Sequence, residues 1–149
     1  MIMKGLEWIL LSLFICWNVG ECAAQGQVSP GIGDFGMYRA KLEGKRVGII
    51  ANQTAVVPES GMMHTVDFLR ERGVNVVKIF CPEHGFRGDA DAGEQVGDYR
   101  DKATGLPVIS LYGKKKKPLP DDLKGIDVLL FDMQDVGVRF YTYISTLHY

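Results

Sequence analysis

The chain predicts an α/β fold, a Rossmann-like three-layer domain with a mainly parallel sheet, on three observations. Apolar runs of strand length recur at 46–52, 74–81, 106–113 and 127–134. They are nearly continuous rather than alternating, as strands covered on both faces are. Helical or turn-rich segments separate them, the rhythm of parallel strands joined by crossovers. Four strands are few for a doubly wound sheet, so the domain reads as truncated, the first part of a larger protein.

The first 24 residues stand apart. Lys4, an apolar run from Trp8 to Trp17 and a stretch of small residues make the three-part pattern of a secretory signal. The run is shorter than the roughly 20 residues a membrane span needs. Cleavage after Ala24 is expected, ahead of an uncleaved anchor or lipidation at Cys22, which Glu21 suits poorly. Export to the periplasm or the cell exterior follows, with no stable span after cleavage. Residues 25–149 then form the folded domain. Of the chain's three cysteines only Cys81 survives cleavage, so no internal disulfide staples the domain. Its core must carry the stability, and an apolar content of 46% is enough to build one.

Within the domain, GDFGMYRAKLEGK (33–45) reads as a short helix with Leu42 inward and Gly44 ending it. RVGIIAN (46–52) is the first strand. MMHTVDFLRERG (62–73) reads as a helix with Met62, Val66 and Leu69 on one face and Gly73 as its C-terminal stop. VNVVKIFC (74–81) is the second strand, and 82–105 reads as a long loop with at most one helical turn. LPVISLYG (106–113) is the third strand. KKKK (114–117) reads as a solvated loop rather than an anion-binding patch. PDDLKGI (120–126) is a helical turn, DVLLFDMQ (127–134) the fourth strand, and FYTYISTLHY (140–149) opens another helix.

A formal charge of -1 gives no global signal for nucleic acid or an anionic membrane. No GxGxxG follows the first strand, which argues against a dinucleotide. In open parallel sheets, ligands bind beyond the carboxyl ends of the strands. The residues there are chemically rich: Asn52, Gln53 and Thr54, then Glu83, His84 and Arg87, then Tyr112 and Gly113, then Asp132, Gln134 and Asp135, followed by Arg139, Tyr141 and Tyr143. A polar, acidic and aromatic edge suits a sugar or other polyol. Each residue also has a plain reading: Asn52 turns the chain, Asp132 caps a helix or pairs with Arg139, His84 is a satisfied loop histidine, and Cys81 is a small core residue. Met133 and Val136 read as core. Glu83 is harder to explain away. It follows the rigid Pro82 at a strand end, where a partly buried carboxyl suits a general acid. A Mg or Ca site from Glu83, His84, Asp132 and Asp135 is conceivable on ligand type, but no spacing matches a metal motif; no metal or other cofactor is expected.

GKRVGIIANQTAVV, CPEHGFRGDADAGEQV, PVISLYG and DVLLFDMQDVGVRFYTYIST together resemble the exo-β-N-acetylmuramidase family of bacterial cell-wall glycosidases, from about Lys45 to the end of the chain. The resemblance implies an exported enzyme with a Rossmann-like N-terminal domain and a smaller C-terminal domain, the latter absent here. The reaction it implies is removal of N-acetylmuramic acid from the non-reducing ends of peptidoglycan fragments. It places the family's proposed catalytic glutamate at Glu83, with Asn52, His84, Arg87, Asp132, Gln134, Asp135, Arg139, Tyr141 and Tyr143 around it. Family members commonly carry Ser where Cys81 stands, which argues further against a thiol mechanism.

On that reading Glu83 protonates the leaving oxygen, and Asp132 or Asp135 is the second carboxylate, with Glu94 an outsider. Separations of about 5 to 5.5 Å imply retention and roughly 6.5 to 9.5 Å inversion, and a 2-acetamido group can itself act as nucleophile. Arg87 or Arg139 would bind the lactyl carboxylate, and the tyrosines would stack on the sugar ring. The alternatives are a sugar-binding module without turnover, an inactive fragment, or a metal-dependent hydrolase on the same scaffold.

Overall fold

The computed structural model describes residues 29–88, 97–138 and 142–149. The expected signal segment, Glu94, Arg139 and Tyr141 lie outside them. Among the described residues, seven strands and three α-helices form in the order α1 (Phe35–Leu42), β1 (Val47–Ala51), β2 (Val56–Val57), β3 (Met63–His64), α2 (Thr65–Glu71), β4 (Val76–Cys81), β5 (Tyr99–Arg100), β6 (Pro107–Ser110), β7 (Val128–Asp132) and α3 (Tyr143–His148). The main sheet runs β5-β6-β4-β1-β7. β6, β4, β1 and β7 are parallel; β5 adds an antiparallel edge.

The four expected strands are all present, and the two-residue side-chain period sorts their residues onto two faces. Val47, Ile49, Ala51, Ile79, Cys81 and Val108 join a core against α1 and α2, which contribute Leu42, Val66, Phe68 and Leu69. Ile50, Phe80 and Leu111 face the other way and pack with Ile109, Ile126, Phe131 and Met133. Residues 119–126 form hydrogen-bonded turns rather than a long helix, and of them Ile126 packs on this second face. Gly48 lets this face pack closely: a Cβ would sit 2.9 Å from Ile126 Cδ1 and 3.0 Å from Leu129 Cδ1, so both side chains would have to shift.

Helix endings follow the residues expected to make them. Gly73 adopts φ 78° after α2; its N–H bonds to Arg70 O and that of Val74 to Leu69 O, the paired closure that a glycine at this position permits. Gly44 similarly follows α1 at φ 67°.

Three expectations change. α2 begins at Thr65, not Met62: the His64 side chain caps it by accepting from Val66 N, while Met62 is 61% exposed with φ 63°. Residues 56–64 instead make a small antiparallel hairpin. The 82–105 loop contains β5, held beside β6 by a turn in which Asp101 accepts from Thr104 N and Oγ1. Val136 is not core but 48% exposed. Among the described residues no helix is long and apolar enough to cross a membrane.

Candidate active site

β1 continues to β4 on one side of itself, and the chain later returns to β7 on its other side. The crevice between the carboxyl ends of β1 and β7 is therefore the topological switch point, where open α/β sheets bind ligands. Asn52 follows β1 directly and Asp132 ends β7.

Asn52 is fully buried. Its Oδ1 accepts from Thr54 N at 3.0 Å and from Thr54 Oγ1 at 2.7 Å. Thr54 Oγ1 in turn accepts from Gln134 N at 3.1 Å, tying the two loops across the crevice. With Oδ1 so held, the Asn52 amide nitrogen has no partner among the described residues, a costly state for a buried donor. Asp132 accepts from the buried Thr65 hydroxyl through Oδ2. His64 braces the crevice from behind. Its Nδ1 accepts from Val66 N, so Nε2 carries the proton and donates to Asn52 O at 2.9 Å. Burial pushes the His64 pKa down, so the ring is neutral; its edge packs on Phe86.

A second feature lies one strand over. Pro82 and Glu83 leave β4, Leu111 and Tyr112 leave β6, and with Lys116 and α3 residues they line a cavity of ≈ 160 Å³. Glu83 accepts a hydrogen bond from the Tyr112 hydroxyl, which raises the phenol's pKa. His84, at φ 71°, turns the chain immediately after Glu83; for a non-glycine residue that conformation is unusual. Cys81, just before Pro82, is buried, and burial pushes its thiol up to about 12, so no thiolate is available at neutral pH.

The expected site residues separate into groups. Glu83 lies in the Tyr112 cavity. Asn52, Gln134 and Asp132 line the switch-point crevice. Asp135 is exposed and bonds Gly137 N through Oδ1 in a local turn. Tyr143 is buried in the first turn of α3. Arg87 is fully engaged: its guanidinium meets Asp101 at 2.9 and 3.1 Å and Asp67 at 3.0 and 3.3 Å. Among the described residues no group of three or more His, Cys, Asp or Glu side chains is gathered to hold a metal.

His64, Thr65, Asp67, Asp101 and Lys116 were not anticipated as parts of this edge. The HT pair before an apolar helical run was a capping signal. Nothing local marks Thr65 as the partner of Asp132, 67 residues away.

The sequence model of the family described as "Exo-beta-N-acetylmuramidase NamZ, N-terminal" matches residues 47–149. A curated relative, "Peptidoglycan beta-N-acetylmuramidase NamZ" of Bacillus subtilis (strain 168), is 52% identical over 113 residues, 75% of this chain and 27% of the relative. Two solved DUF1343 family proteins from Bacteroides fragilis NCTC 9343 are similar in fold. They superpose with TM-scores of 0.69 and 0.65, at 48% and 39% identity, over 80% of this chain and 29% of each of theirs.

Proposed function

The chain belongs to the family of exo-β-N-acetylmuramidase NamZ N-terminal domains, and from that premise we propose that it carries the acid-bearing part of a peptidoglycan glycosidase site. It spans 27% of the length of the Bacillus relative and 29% of the two solved structures, so the activity proposed is that of a whole enzyme. The reaction is exo-acting release of N-acetylmuramic acid from non-reducing ends of peptidoglycan fragments, in an exported protein.

The observation that carries this reading is the placement of Glu83 in a cavity at the carboxyl edge of the sheet, hydrogen-bonded by Tyr112. From there its carboxyl can reach a leaving oxygen seated in the cavity. Asp132 is the favoured second carboxylate, because Thr65 orients it at the switch point, whereas Asp135 is spent on a surface turn. β4 and β7 are separated by β1, so their backbones stand about 10 Å apart at one strand spacing each. A carboxyl pair on these two strand ends can serve inversion, retention, or attack by the substrate's own acetamido group with Asp132 orienting it. The unpartnered Asn52 amide lies buried beside the crevice, where an enclosed ordered water would satisfy it.

The test is aglycone release from a chromogenic β-N-acetylmuramic acid glycoside, with the N-acetylglucosamine analogue as control. The longest natural reading frame containing this chain is assayed beside residues 25–149. Turnover of the muramic substrate alone, lost in Glu83→Gln with folding intact, is the expected result. Near wild-type turnover in Glu83→Gln removes Glu83 as the acid. Sugar binding with no turnover by either form replaces the enzyme with a binding module.

A further inference from the structure

We propose that Lys116 is the specificity cation of the Glu83 cavity, binding a carboxylate carried by the sugar, the lactyl acid of a muramic residue; this rests on the glycosidase reading above. Lys116 lines the same cavity as Glu83 and Tyr112. A sugar acid seated there with its glycosidic oxygen at Glu83 brings a negative charge to the cavity wall. Such a charge needs a cation on the wall.

Among the described residues, three nearby cations are occupied. Arg87 is held by both oxygens of Asp67 and both of Asp101. Lys115 bridges Asp98 at 3.4 Å and Asp122 at 3.2 Å, and Lys78 donates to the Asp122 carbonyl oxygen. Lys116 pairs with no described residue, and neither do Lys114 and Lys117, which do not line the cavity. The lysine tract thus divides its labour. Lys115 anchors the loop between two aspartates, and that anchor sets Lys116 at the cavity wall. An ammonium on a flexible stem suits a carboxylate on an equally flexible lactyl ether, because neither requires bidentate geometry.

The test is equilibrium binding to the full chain, by NMR titration with N-acetylmuramic acid, its methyl ester and N-acetylglucosamine. Wild type is expected to prefer the acid over the other two by roughly five- to tenfold, and added salt should erode that preference. Lys116→Met keeps the apolar stem and is expected to bring all three ligands within about twofold, whereas Lys116→Arg retains the preference because the charge remains. A preference that survives in a folded Lys116→Met overturns the assignment, leaves the muramic site standing, and makes Arg139 the next cation to replace. Equal binding of the three ligands by wild type also overturns it. A wild-type chain that binds none of them removes the sugar site, and this proposal with it.

Discussion

Arg87→Met separates two roles for one guanidinium, and the structure predicts which prevails. Arg87 makes four charge-assisted hydrogen bonds, two to Asp101 and two to Asp67. Asp101 is 5% exposed, and its carboxyl is held at about 2, below the ordinary 3.8, first by the Arg87 bonds and then by those from Thr104. That difference corresponds to about 2 kcal/mol of stability at neutral pH. Removing the guanidinium also leaves a buried carboxylate with only its Thr104 bonds, which costs about 3–5 kcal/mol in well-buried pairs. The Asp67 side is a third exposed, so the expected loss for Arg87→Met is about 2–3 kcal/mol.

The pH dependence has a definite sign. The folded-state pKa of Asp101 lies below its unfolded value, so its contribution is complete above about pH 4 and is lost as pH falls towards 2. Urea unfolding followed by dichroism, in steps from neutrality to acid, measures both quantities. Wild type should weaken across that window, and Arg87→Met should start lower and weaken less. A loss under ~0.5 kcal/mol with an unchanged urea slope, accompanied by loss of sugar binding, would refute the reasoning. It would return Arg87 to the substrate-binding role that its motif implies.

The Cys81 thiol, buried and pushed up to about 12, should resist alkylation in the native chain at mildly alkaline pH and react fully once unfolded; rapid native labelling would contradict its burial. Gly48→Val should destabilise by about 1–3 kcal/mol in chemical denaturation, because its Cβ starts 2.9 Å from Ile126. Asn52→Asp places a charge at a fully buried position and should cost on the order of 3 kcal/mol near neutrality, with the loss shrinking in acid as the carboxyl protonates. His64, its pKa lowered chiefly by burial, should show in heteronuclear NMR a neutral ring protonated at Nε2. Its protonation opposes folding, so this group's contribution falls as pH drops below its unfolded value of about 6.5.

Periodicity made the four parallel strands legible, because each is a strand-length run too apolar to be left as loop, although edge strand β7 stays only partly covered, with Leu129 41% exposed. Gly44 and Gly73 marked helix ends because a left-handed residue is cheap only without a Cβ. Pro82-Glu83 could be placed at a strand's carboxyl end, and the fold rule for parallel sheets then pointed to the edge that bears the cavity. The two-residue strands β2, β3 and β5 were not legible: too short for periodicity, they exist because turns at Gly61, Met62 and Gly105 deliver them to partners.

Tertiary structure alone decided the use of the charges. A guanidinium in a motif reads the same whether it awaits a substrate or is already bound. Only the fold brings Asp67 and Asp101, 20 and 14 residues away, onto Arg87. The same holds for Thr65 on Asp132 and for Lys115, whose two aspartates leave Lys116 at the cavity. Hydrophobic pattern is a property of neighbouring residues and can be read along the chain. Charge pairing depends on distances across the fold, which become definite only when the sheet sets its strand order.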